Sequence, residues 1–191
     1  EELVSIKVCR RSGFRASECC LDVDTVRACE AGLRTAICPY HRFVNLDATG
    51  RWQVNSNCET VYNMHITPWF VLPPVQEWYY CRTHTDYRKL PPFRKDCSGQ
   101  SQEVMEMIYP QKGTRIFIPR SFGGKSEKVI LEAAHRNPSA VIYWDIDGNY
   151  LGQTQGTHQM EANLPEGRHV LVLTDEDGNI FRQTFRIVGK N

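Results

Sequence analysis

All eight cysteines (Cys9, Cys19, Cys20, Cys29, Cys38, Cys58, Cys81 and Cys97) fall in the first 97 of 191 residues, and the last 94 have none. That asymmetry splits the chain into two parts that must be stabilised differently. An even number of cysteines in one loop-rich segment reads as a disulfide framework, which persists only in an oxidising compartment. The competing reading is a metal site. Metal sites usually offer close ligand pairs such as Cys-x-x-Cys, which is absent; Cys38-Pro-Tyr-His41 is a close Cys/His pair. Spacing therefore favours disulfides, with no metal and no cofactor expected.

Charge excludes another class. With 23 Lys+Arg against 22 Asp+Glu the formal net charge is +1, so the chain lacks the basic excess that displaces counterions from a nucleic acid. At 41% hydrophobic and 24% charged residues it has the composition of a folded domain. No apolar run reaches the ~20 residues of a membrane helix, and Glu1-Glu-Leu-Val-Ser5 has neither the basic nor the apolar region of a signal peptide. Disulfides without an export signal are reconciled if Glu1 follows a cut and the signal or anchor lies upstream.

Residues 3–8, Leu-Val-Ser-Ile-Lys-Val, alternate apolar and polar and read as a strand entering Cys9; after a turn at Ser12-Gly13, Cys19 or Cys20 is its nearest candidate partner. Arg42–Asp47 and Arg51–Asn55 flank the turn Ala48-Thr49-Gly50, a hairpin signature. Cys38 and Cys58 stand at equal distances from position 48, so paired strands would bring them within bridging range. Structural disulfide candidates are thus Cys38, Cys58, Cys9 and Cys20, although eight cysteines leave the connectivity open.

Residues 67–97 carry paired prolines between aromatics: Thr67-Pro-Trp-Phe-Val-Leu-Pro-Pro74, Glu77-Trp-Tyr-Tyr-Cys81 and Leu90-Pro-Pro-Phe93. Proline fixes φ and removes a donor, so an extended strap is expected rather than a helix or central strand. Trp69, Trp78, Tyr79 and Tyr80 then either offer a platform for sugar rings or anchor the strap to its own domain. A polar linker, Ser98-Gly99-Gln100-Ser101, marks the boundary between residues 1–100 and 101–191.

Beyond it, short alternating runs recur between turn signals: Val104–Tyr109, Thr114–Ile118, Lys128–Ala134, Val141–Asp145, Tyr150–Gln153, His158–Ala162, His169–Thr174 and Phe181–Val188. Asp147-Gly148 and Asp177-Gly178 are hairpin turns, which also explains the carboxylates clustered around them. Strands at this spacing, with Trp144 where a sandwich buries one, predict an immunoglobulin-like β-sandwich lacking its disulfide. The fold class is mainly β: a cysteine-rich, loop-rich segment with β-hairpins, then the sandwich.

Catalytic signatures are missing. The chain has no Gly-x-Ser-x-Gly, His-Glu-x-x-His, P-loop, Gly-x-Gly-x-x-Gly after a strand, or Ser-x-x-Lys, and its six histidines are scattered. Phe122-Gly-Gly-Lys125 reads as a glycine turn between strands.

Several stretches, in order, carry a resemblance: Val-Cys9-Arg-Arg-Ser-Gly13-Phe, Cys38-Pro-Tyr-His-Arg42, Leu-Asp47-Ala-Thr-Gly50-Arg, Val-Asn-Ser-Asn-Cys58, Trp-Phe-Val-Leu-Pro-Pro74, Glu77-Trp-Tyr-Tyr80, Ile-Tyr-Pro110 and Gly113-Thr-Arg-Ile-Phe-Ile-Pro119. Together they resemble the C-terminal region of the penicillin-binding protein 1C family, the bifunctional class A peptidoglycan synthases, in the form of Bacteroides-type bacteria. The resemblance implies a periplasmic, noncatalytic module, tethered to the inner membrane through an upstream anchor of the parent. It follows a transpeptidase domain whose catalytic residues have no counterpart here. Implied partners are the parent transpeptidase domain and periplasmic cell-wall proteins, an α-macroglobulin-type protein among them; the alternative is a peptidoglycan-binding module. Cys19-Cys20 and Cys81 depart from the family pattern, which leaves their partners open.

Overall fold

A computed structural model describes residues 3–97, 103–118 and 128–189. The chain forms two compact units, one of residues 1–72 with 86–100 and the other of 73–85 with 101–191. The linker Ser98–Ser101 and the turn Phe122–Lys125 lie outside the described residues.

The first unit contains two separate hairpins. In one, β1 (Val4–Cys9) pairs antiparallel with β2 (Val23–Ala28), Cys9 opposite Val23. Its apolar face is small: β2 is largely exposed, and Ile6 is covered by the 3-10 turn Glu30–Arg34. The packing is close: a Cβ on Gly32 would fall 2.5 Å from Ile6 Cδ1 and push the end of that side chain aside. In the other, β3 (His41–Leu46) pairs with β4 (His65–Phe70), and Val44, Leu46, Trp69, Val71 and Leu90 form a small core.

The turn expected at 48–50 forms. Gly50 has φ 69°, and the Asp47 carboxylate accepts from the Thr49 hydroxyl and the Arg51 and Trp52 amides. The hairpin around it, however, stops at a single bridge, Leu46 to Gln53. Gln53 is captured instead by the 91–94 segment: its amide donates to Pro92 O, its side chain to Pro91 O, and its carbonyl accepts from Arg94 N. The full partner of β3 is therefore β4, which the proline strap was expected to contain.

That strap is also interrupted by α1 (Pro74–Tyr80), which belongs to the second unit. Proline does not oppose a helix at this position, because Pro74 sits in the first turn, where its missing amide hydrogen would have had no helical partner. Inside α1, Glu77 is buried and accepts from Arg136 at 2.6 Å, while the Val75 amide donates to Glu106.

The remaining strands are β5 (Met105–Tyr109), β6 (Arg115–Ile118), β7 (Val129–His135), β8 (Val141–Ile146), β9 (Asn149–Gln155), β10 (Gln159–Ala162), β11 (Gly167–Asp175) and β12 (Ile180–Gly189). They form a three-stranded sheet, β10-β7-β5, and a five-stranded sheet, β6-β12-β11-β8-β9. All pairs are antiparallel except β12 with β6. This order places β5, β7 and β10 as strands A, B and E and β8, β11 and β12 as C, F and G of an immunoglobulin-like sandwich.

One core joins the sheets, from Met105, Met107, Leu131 and Ala133 on one side to Ile142, Trp144, Leu171, Leu173 and Phe185 on the other. Trp144 is 0% exposed, and its Nε1–H donates to Thr154 Oγ1 at 2.8 Å. The aromatic supplies area and its one polar atom is satisfied. The sandwich strands carry no cysteine, and this shared apolar core holds the two sheets together.

Candidate metal centre

Three loops of the first unit end at one point. At the end of β1, Cys9 N donates to Phe14 O and Gly13 N to Cys9 O, closing a tight turn in which Gly13 takes φ 73°, a conformation that costs a side-chain-bearing residue. Arg15 then bridges Val8 on one side and Ile37 on the other, and Cys38 N donates to Arg15 O. A further turn, Cys20 N to Ser17 O, returns Cys20. His41 is the first residue of β3, its ring 4.9 Å from that of Phe70.

Around His41 Nδ1 lie three sulfurs: Cys38 Sγ at 3.3 Å, Cys20 Sγ at 3.4 Å and Cys9 Sγ at 3.6 Å. The four atoms are all within 4.8 Å of one another, with Cys9 and Cys38 buried and Cys20 and His41 half-buried. Ser12 Oγ donates to Cys38 Sγ at 3.1 Å, and Ser17 reaches Cys20 Sγ through its amide at 3.4 Å and its hydroxyl at 3.3 Å. Burial disfavours the Cys38 thiolate, but bonds from Ser12, His41 and the backbone of Tyr40 and His41 outweigh it and bring its pKa down to about 6. At Cys20, burial prevails over the bonds from Ser17 and the pKa is raised. A three-thiol, one-imidazole set of this kind suits a soft or borderline metal ion.

The expected pairings are corrected by this geometry. Cys9, Cys20 and Cys38 form no disulfide, and Cys58 is bonded to Cys97, with Cα atoms 4.9 Å apart, rather than to Cys38. The reason is the capture of Gln53 by the 91–94 segment, which carries Cys97 toward Cys58. Arg94 secures that approach through Glu59 at 2.8 Å, Asp96 at 2.7 Å and the Cys58 carbonyl. The expectation of no metal rested on ligand spacing alone, and spacing does not register this cluster, because Cys9 and Cys20 come from turns distant in sequence from Cys38-Pro-Tyr-His41. Only Cys38-Pro-Tyr-His41 and the glycine turn after Cys9 signalled the cluster in the sequence. Cys19 is buried and Cys29 exposed, both outside it.

The four aromatics considered for sugar binding are divided between the units. Trp69, in β4, is 7% exposed; its Nε1–H donates to Arg88 O at 3.0 Å and the Arg88 guanidinium covers its ring. Trp78, Tyr79 and Tyr80 share α1. Arg82 lies 3.4 Å over Trp78, Tyr80 stacks on His84 at 3.7 Å, and Tyr79, 52% exposed, meets Trp78 edge to face. Among the described residues no helix is long and apolar enough to cross a membrane.

The fold of the second unit defines an immunoglobulin-like module, and comparison with known proteins gives it a place. Residues 94–186 match the model of the Penicillin-Binding Protein C-terminus Family. Among solved structures the chain is similar to the fibronectin(III)-like modules of Clostridium thermocellum CbhA, at 16% identity and a TM-score of 0.35, covering 46% of this chain and 96% of that one. Comparison with curated proteins gave no match.

Proposed function

We propose that this chain is a noncatalytic C-terminal module of a peptidoglycan synthase in the cell envelope, of the penicillin-binding protein 1C type, and that it docks on the catalytic part of its parent. The observation that carries this reading is the family match over 94–186. The transpeptidase domain of the parent is the surface nearest to hand for a module in that position. Docking is supported by the strand edges at β6 and β9, which no other described strand pairs and which are templates for a partner's strand. Phe117 on β6 is 66% exposed and adds an apolar contact there.

A glycan-binding role is the second reading, favoured by Tyr79 and Trp78 side by side on α1. Two measurements separate the readings. Calorimetry between the purified chain and the purified transpeptidase portion of the parent is expected to show binding that weakens with Phe117→Asp. Sedimentation with purified sacculi is expected to leave the chain in the supernatant. Retention on sacculi that is lost with Tyr79→Ala or Trp78→Ala, together with no binding to the transpeptidase, would replace docking by sugar binding.

A further inference from the structure

We infer that Cys9, Cys20, Cys38 and His41 bind one Zn2+ in a closed tetrahedral site that fastens the β1–β2 hairpin to β3. With Zn–S of about 2.3 Å and Zn–N of about 2.0–2.1 Å, tetrahedral angles place each sulfur about 3.6 Å from the nitrogen and about 3.8 Å from the other sulfurs. The three sulfurs lie 3.3–3.6 Å from His41 Nδ1, and the whole set is within 4.8 Å.

Hydrogen bonding does not account for this convergence. One imidazole nitrogen has a single lone pair or a single N–H and engages one thiol, not three. A metal ion shares the space among all four donors. The hydroxyl and amide groups of Ser12 and Ser17, aimed at Cys38 and Cys20, are the outer contacts that orient ligating thiolates. Thiolates exclude Ca2+ and Mg2+, and the three-thiolate, one-imidazole set is a common structural zinc set. Four protein donors fill the tetrahedron and leave no position for water, so the ion holds structure and does not catalyse hydrolysis. Binding releases to solvent the proton of each thiol still protonated.

The first unit needs such a fastener. A two-stranded hairpin is marginal alone in water, and β1–β2 buries only Ile6 and Cys9. The disulfide Cys58–Cys97 closes the other end of the unit. Metal occupancy also explains how three neighbouring thiols coexist with a disulfide in one chain, since coordinated thiolates resist oxidative pairing.

The test uses the full 191-residue chain, prepared with zinc and without chelator. Elemental analysis after gel filtration is expected to give one zinc per chain. Peptide mapping should show Cys9, Cys20 and Cys38 alkylated only after chelation, and Co2+ in place of zinc should give the intense visible bands of tetrahedral thiolate coordination. Cys38→Ser should lose stoichiometric metal, while Cys19→Ser and Cys29→Ser keep it. If Cys38→Ser fails to fold, the metal count and alkylation map of the unaltered chain decide. Zinc-supplied chain that elutes without metal, a mapped disulfide among Cys9, Cys20 and Cys38, or loss of metal in Cys19→Ser would overturn the inference.

Discussion

His158 is buried between the sheets, and its Nδ1 shares a hydrogen bond with Thr154 Oγ1, which also receives the Trp144 indole. No described residue reaches its Nε2. Burial, and then the neighbouring His135, lower its pKa below the ordinary 6.5. His135 itself pairs with Asp175 at 3.1 Å, both side chains nearly fully buried. At Asp175 burial opposes the charge, yet bonds from Asn179 and His135 hold the carboxyl below its ordinary 3.8. The signs agree. Unfolded His158 takes a proton near 6.5 while folded His158 resists it, so the unfolded state binds more protons and stability falls as pH drops through that value. The Asp175 contribution is present above its ordinary value and disappears as pH falls through its lower folded value. Thermal unfolding of the sandwich should thus occur at lower temperature at about pH 5 than at about pH 7.5, and His158→Gln should flatten that difference. An unchanged slope in the variant would remove His158 from the explanation. At the same scale, Trp144→Ala should cost about 3–5 kcal/mol, read by denaturant titration, because it empties the centre of the core.

α1 is tied to the sandwich by a well-formed charge pair, Glu77 with Arg136, whose side chains are 3% and 15% exposed. Removing one partner of a buried ion pair typically costs about 3–5 kcal/mol. Arg136→Ala should therefore raise amide exchange across 74–80, and Glu77→Gln in the same background should recover much of the loss. All eight sandwich strands were legible in the sequence, since each has period-two alternation and a turn beside it, and Trp144 fell where that pattern buries a large aromatic. α1 was not legible, because Pro73-Pro74 marks a helix start as readily as an extended strap and Trp78-Tyr79-Tyr80 has no helical periodicity. The partner of β3 was misread because the turn at 48–50 is real but local, and Gln53 is claimed by residues 91–94 from 38 positions away. The metal cluster was hidden for the same reason. Cys9, Cys20 and Cys38 become neighbours only after Arg15 has bridged Val8 and Ile37.

The two units are stabilised by different means. The sandwich has a continuous core, whereas the first unit has a five-residue core, a disulfide and the four-ligand cluster. Reducing a bridge that spans 39 residues releases a loop whose closure entropy is worth about 4 kcal/mol. Cys97→Ser should therefore lower the stability of the first unit by about 2–4 kcal/mol and leave the sandwich transition in place. Chelation should act likewise, lost amide protection appearing in β1 and β2 while β7, β8 and β11 stay protected. The most direct measurement of what the molecule is part of uses envelopes of the source cell, labelled with fluorescent penicillin and probed on the same gel with an antibody against this chain. The antibody is expected to mark a band much larger than 22.0 kDa that also carries the label. An antibody band near 22.0 kDa alone, without label, would contradict the assignment to a penicillin-binding synthase.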